Sequence, residues 1–172
     1  MCIIYGIVTY NKLVQLRAKV DNGWAQIDVQ LNKRFDLIPN LVETVQGYAK
    51  HEQTTITDVT KARASVGGAK TPEDAMAANN ELSGAISRLL VVAEKYPDLK
   101  ANVNFMDLQQ QLKVLEDKIA MSRQFFNDTV MNYNQKTEMF PSNIVAKLFK
   151  FKARPYFDVE EGVRVAPKVS FN

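Results

Sequence analysis

The sequence predicts an all-α protein: an up-down-up-down four-helix bundle of long antiparallel helices with a short extended C-terminal tail. Three observations predict it. Apolar residues recur at alternating spacings of three and four through most of the chain, the period of one helix face. Glycine and proline number 7 and 6 in 172 residues, few for a sheet protein with many turns. Breakers at Gly67-Gly68, Pro97 and Pro141 divide the long periodic stretches, so successive helices reverse over short connections.

Composition fits one domain. Apolar residues are 46% and charged residues 24% of the chain, and a chain of this length buries roughly two-thirds of its unfolded surface. It therefore folds without a metal or disulfide. The net charge is +3, with both signs mixed along most of the sequence. No basic groove pattern interleaved with aromatics marks a nucleic-acid partner. Cys2 is the single cysteine. It reads as an ordinary small apolar residue, and no intramolecular disulfide can form.

The chain divides at residues 10 and 140. Residues 1–10, MCIIYGIVTY, are apolar and uncharged. A spanning helix needs roughly twenty such residues, so this stretch reads as the remnant or end of a hydrophobic N-terminal anchor. Residues 11–140 are the bundle. The first helix runs from Asn11 to Phe35, with Leu13, Leu16, Val20, Trp24, Ile27, Leu31 and Phe35 on its stripe. Pro39 then decides the topology. A proline inside a helix costs about 3 kcal/mol, but little in the first turn. Asp36 is a good N-cap. The preferred reading is a reversal near Arg34–Asp36 and a second helix from Leu37; the competing one is a single long helix kinked at Pro39.

The second helix carries Leu41, Val45, Tyr48, Ile56, Val59 and Val66 and stops at Gly67-Gly68, a C-terminal signal. Thr71, Pro72 and Asp74 open the third helix as cap, first-turn proline and first-turn acid. It holds Leu82, Ile86, Leu89, Ala93 and Tyr96 and must end there, because Pro97 disfavours helix in the residue before it. The fourth starts within Ala101–Phe105 and keeps its stripe from Phe105 to Tyr133. Residues 141–172 form a basic, aromatic C-terminal segment and an extended tail. SNIVAKLFKFKAR has room for one short helix, and VRVAPKV alternates like a strand. In this topology the first and third loops share one end. The second loop, the N-terminus and the tail share the other.

Catalytic chemistry is missing. The single histidine, His51, has no glutamate three residues before it, so the di-iron pattern of helical bundles fails. One cysteine and one histidine cannot make an ordinary zinc site. Phosphate loops, dinucleotide loops and nucleophile elbows are absent. No catalytic residue, cofactor or metal is expected. His51 reads as a helix-surface or inter-helix hydrogen-bonding residue. Asp28, Asn32, Asp36, Asn40 and Glu43 read as capping and hydrogen-bonding groups near the reversal, with a recognition patch as the sharper alternative.

The stretches YNKLVQLR (Tyr10–Arg17), WAQIDVQLNKRFDLIPNLVETVQGYAKHE (Trp24–Glu52), EKYPDLKAN (Glu94–Asn102), RQFFND (Arg123–Asp128) and PKVSF (Pro167–Phe171) together resemble the LemA family of bacterial proteins. The resemblance covers almost the whole chain. It implies a four-helix bundle held in the cell membrane by one hydrophobic helix just before the YN-x-LV-x-LR segment. It carries no catalytic residues over. This sequence departs from the pattern in having only a short apolar stretch before Tyr10.

A non-enzymatic interaction or scaffold module is therefore the leading functional expectation. A structural protein self-assembling in the membrane plane comes next, and a carboxylate or metal-dependent enzyme last. Lys12, Arg17 and Lys19 after the anchor favour the cytoplasmic side. The loops Phe35–Asn40 and Tyr96–Asn102 would then form the membrane-distal end. There Asp36, Asn40, Tyr96, Asp98 and Lys100 are the candidate contacts for a protein partner. At the near end, Lys147, Lys150, Lys152 and Arg154 among aromatics suit an anionic lipid surface.

Overall fold

The computed structural model describes residues 1–158. The helices are α1 (Cys2–Gln46), α2 (Gln53–Gly68), α3 (Pro72–Ala93), α4 (Pro97–Lys100), α5 (Val103–Glu138) and α6 (Ser142–Leu148). The described residues contain no strand. The alternating VRVAPKV segment and the closing PKVSF lie outside them.

The chain does not reverse at Arg34–Asp36. It continues as α1, a helix of 45 residues with Pro39 inside it. The cause is visible in the buried stripe. After Leu31 the buried positions are Arg34, Ile38, Leu41 and Val45, so the rhythm of three and four never stops. Arg34 occupies one of those positions. A reading that counts only apolar side chains puts half-buried Phe35 on the stripe instead, and then meets Asp36 and Pro39, a cap and a first-turn proline. Pro39 itself is exposed, which keeps its ring off the packed face. It supplies no N–H to the helix, and burial of the continuous stripe offsets that cost. Leu37–Gln46 therefore belongs to α1. The second helix begins only at Gln53, after a turn in which the Tyr48 and Ala49 N–H groups both bond to the Val45 carbonyl.

Two compact units emerge. The first comprises Met1–Leu37 and Gln109–Phe157, the second Ile38–Leu108 with Asp158. α1 and α5 contribute to both.

In the first unit, α1 and α5 run antiparallel. Trp24 packs edge-on against Phe126, whereas Arg34 reaches Glu116, so numbers rise along one helix as they fall along the other. Gly23, not Trp24, occupies the buried position on α1. A Cβ built there would lie 3.5 Å from the Phe126 ring and the Thr129 hydroxyl. These are ordinary van der Waals distances, so position 23 lies in the contact between the two helices. Leu112, Leu115, Ile119, Phe126, Val130 and Tyr133 line the α5 side.

In the second unit, α2 and α3 pack together as a hairpin across Ala69–Thr71. Thr71 caps α3 by accepting from the Asp74 N–H at 3.1 Å, and Pro72 takes the first turn. Leu82, Ile86, Leu89 and Ala93 are buried on α3 as its spacing predicts. Tyr96 lies past the helix end, before the short α4.

Candidate functional site

Two places carry the residues singled out from the sequence. One is in the second unit, where the end of α1, the start of α2, the end of α3 and the start of α5 converge. The Tyr96 hydroxyl donates to Glu52 Oε1 at 3.1 Å. Asn102 donates from Nδ2 to the Tyr48 hydroxyl at 3.0 Å. Its Oδ1 accepts from the Phe105 N–H at 3.0 Å, which caps α5. Two of the recognisable stretches, QGYAKHE and EKYPDLKAN, thus meet through two hydrogen bonds. Ala49, Ala93 and Leu99, close to them in sequence, are buried. Loss of solvation raises the Tyr96 pKa above its ordinary value, and the hydrogen bond and negative charge of Glu52 raise it further.

The connection beside Tyr96–Asn102 is therefore Gly47–Glu52, not Phe35–Asn40. Tyr48 and Glu52 are the groups the sequence reading missed. Their signal was present in the turn-forming glycine at 47, but it was outweighed by Pro39. Of the candidate partner contacts, Tyr96 is engaged with Glu52, Lys100 pairs with Glu94 at 2.6 Å, and Asp98 is exposed. The Lys100 pair is open to water, so it adds little stability. Asn40 is exposed in the same unit, six residues before the end of α1, and its carbonyl accepts from the Thr44 hydroxyl at 2.8 Å. Asp36 belongs to the first unit. There it lines a groove of about 410 Å³ with Lys33, Leu37, Gln110, Gln111 and Val114. Asn32 donates to Asp28 one helical turn back, at 3.3 Å. His51 is exposed in the Gly47–Glu52 connection.

The other place is the C-terminal segment of the first unit. α6 ends with Lys150 at φ 58°, a left-handed position usually given to glycine. The Lys150 N–H bonds to the Lys147 carbonyl and the Phe151 N–H to the Ala146 carbonyl, which is the Schellman pattern. This turn directs the aromatics back onto α1. Tyr10 meets Phe149 at 4.7 Å and Phe151 at 5.6 Å between ring centroids. The Arg17 guanidinium lies 5.0 Å over the Phe151 ring.

From Phe151 the chain is extended and follows α5. Asn134 donates to the Arg154 carbonyl at 2.9 Å and accepts from its N–H at 2.8 Å. Asn127 does the same for Phe157, at 3.0 and 2.8 Å. The match is metric. Seven helical residues span about 10.5 Å, and three extended residues span about 10 Å. Two asparagines two turns apart therefore serve as a substitute strand. Phe157 is buried against Trp24, and Arg154 pairs with Asp21 at 3.0 Å. Burial raises the Tyr133 pKa above its ordinary value, against the opposing charges of Arg17 and Arg154. Of the four basic candidates for lipid contact, Arg154 is thus tied down, while Lys147, Lys150 and Lys152 are exposed.

Among the described residues, no three of His, Cys, Asp and Glu are placed to hold a metal ion. None of their helices is long and apolar enough to cross a membrane.

Residues 23–171 match the LemA family model. This chain belongs to the LemA family. Among its relatives is protein LemA of Metamycoplasma hominis, 22% identical over 90% of this chain and 71% of its own length. Magnetosome protein MamQ 2 of Paramagnetospirillum magneticum is also 22% identical, over 88% of this chain. MamQ of Magnetospirillum gryphiswaldense is 20% identical over 88% of it. The chain spans 65% of the length of each of these two MamQ relatives. The LemA match takes in both the Tyr48–Glu52 and Tyr96–Asn102 connections and the asparagine clamp.

Proposed function

We propose that this LemA-family chain is a non-enzymatic helical interaction module held at a membrane by the apolar start of α1, with its helices on the cytoplasmic side. A single bilayer pass leading into α1 is part of this reading. One observation carries it. Ile3, Ile4, Ile7 and Val8 are exposed, and the buried stripe begins only at Thr9 and Leu13. No charge precedes Lys12. Water is a poor neighbour for such a surface, and the exposed Lys12 and Lys19 behind it suit the headgroup side.

Flotation of the full chain with bacterial inner-membrane vesicles tests this. The Ile3→Ser/Ile4→Ser/Ile7→Ser variant is expected to leave the floating fraction. Undiminished flotation rejects the attachment through α1.

A protein partner would engage the exposed Asp98 and Lys100, with Asn40 and Tyr96 of the same unit as further candidates. Affinity capture from native membranes, comparing wild type with Asp98→Ala/Lys100→Ala, is expected to lose that partner. An unchanged set of bound proteins removes the assignment.

Self-assembly is the second reading. It is favoured by Val114, Met121 and Phe125, which are exposed and fall on one face of α5 at spacings of seven and four. Sedimentation velocity of Met121→Asp against wild type separates the two: a concentration-dependent oligomer that the variant abolishes supports self-assembly.

A further inference from the structure

We propose that α6 is a second membrane contact, lying in the headgroup layer of an anionic bilayer beside the start of α1. The proposal rests on the α1 reading above and adds a surface to it. α6 buries Ser142, Val145 and Ala146. Its other face, extended back to the preceding turn, places Phe140, Ile144 and Leu148 four residues apart, and they are 79%, 58% and 73% exposed. An ordinary surface helix carries polar groups there.

Position and charge choose the occupant. The Tyr10–Phe149 contact brings the end of α6 against Tyr10, and the equally exposed Ile3 and Ile7 lie within about two helical turns of Tyr10. From Met139 to Phe157 there are four basic residues and no acidic one. Three of the four, Lys147, Lys150 and Lys152, are exposed around the stripe. An apolar stripe with three lysines beside its Leu148 end, and Glu138 as the nearest carboxylate in sequence to its Phe140 end, matches an acyl boundary under anionic headgroups. An acidic protein surface would use the lysines but leave the Phe140–Leu148 stripe wet.

The test uses the full chain in a Cys2→Ser background, with an environment-sensitive fluorophore on Ile144→Cys, Ile4→Cys or Lys61→Cys. Vesicles of phosphatidylcholine are compared with vesicles containing phosphatidylglycerol. The expected result is a blue shift at positions 144 and 4 with anionic vesicles and none at 61. A shift at 4 without one at 144 overturns the α6 contact and leaves the α1 reading intact. A shift at 144 alone supports the α6 contact and removes the α1 reading. No shift at either overturns both. A shift at 144 that grows with protein concentration in the absence of vesicles identifies a second copy as the occupant and overturns the lipid assignment. Replacing Lys147, Lys150 and Lys152 by Gln is expected to lower vesicle affinity by roughly fivefold or more per lysine at low salt. An affinity unchanged by that replacement also counts against the proposal.

Discussion

Asn134 shows how one side chain can stand in for a strand. Both of its amide groups are spent on the part-buried Arg154 backbone. Asn134→Ala leaves an N–H and a C=O without these partners, at about 1–3 kcal/mol. Asn134→Asp keeps an acceptor for the N–H but sets a carboxylate against the carbonyl, so it is expected to do no better. Urea unfolding measures the loss. Limited trypsin cleavage after Lys152 should accelerate in both variants; equal cleavage in wild type and Asn134→Ala would show that the clamp does not hold the tail.

Tyr96 makes a pH-dependent contribution. Its neutral hydroxyl donates to Glu52, and its pKa is raised, first by loss of solvation and then by that carboxylate. A group whose folded pKa lies above its unfolded one stabilises the fold fully below the unfolded value. That contribution is lost as pH rises through the folded one. The stability difference between wild type and Tyr96→Phe should therefore be flat through neutral pH and shrink above about pH 10, the ordinary tyrosine value. A difference that grows in alkali contradicts the assigned donor. Neither role was legible from sequence. Asparagine and tyrosine have no period of their own, and their partners are 20 and 44 residues away along the chain.

At the scale of elements, the fourth expected helix was the most readable. Phe105, Leu108, Leu112, Leu115, Ile119, Phe126, Val130 and Tyr133 are all buried, and only the small, half-buried Ser122 stands among them in the rhythm of three and four. α1 was misread where a charged side chain takes the packed position. Buried Arg34 carries the stripe between Leu31 and Ile38 through its bond to Glu116 at 2.8 Å, while Phe35, the apolar residue beside it, is only half-buried and leads into the cap-like Asp36. Pro39 then supplied a plausible turn. The two readings of Pro39 differ in sign. In a helix interior, Pro39→Ala restores an N–H and removes a ring clash worth about 3 kcal/mol, less about 0.4–1 kcal/mol from a freer unfolded chain. The variant should be more stable by about 2–2.6 kcal/mol and its helix content should not fall, as thermal unfolding by circular dichroism would report. A loss of stability would favour a specific role for the proline ring.

For the whole molecule, the question is whether two compact units unfold as one. α1 crosses from the first unit into the second at Leu37–Ile38, and α5 crosses at Leu108–Gln109. Neither crossing has a loop. Melting the second unit would leave α1 and α5 each with a frayed half, and helix formation is cooperative along a continuous segment. The two units should therefore share one transition. The chain offers its own reporter, since Trp24 is the single tryptophan and lies in the first unit against Phe126 and Phe157. Leu89 is fully buried on α3 in the second unit. Leu89→Ala should cost about 2–5 kcal/mol, or roughly 2–4 °C of Tm per kcal/mol in a protein of this size. Trp24 fluorescence should register that whole shift, coincident with far-ultraviolet circular dichroism. A Trp24 transition left at its wild-type temperature, while part of the helix signal melts early, would show that the crossings transmit no cooperativity. The second unit could then open alone, leaving the apolar start of α1 and the clamped tail in place.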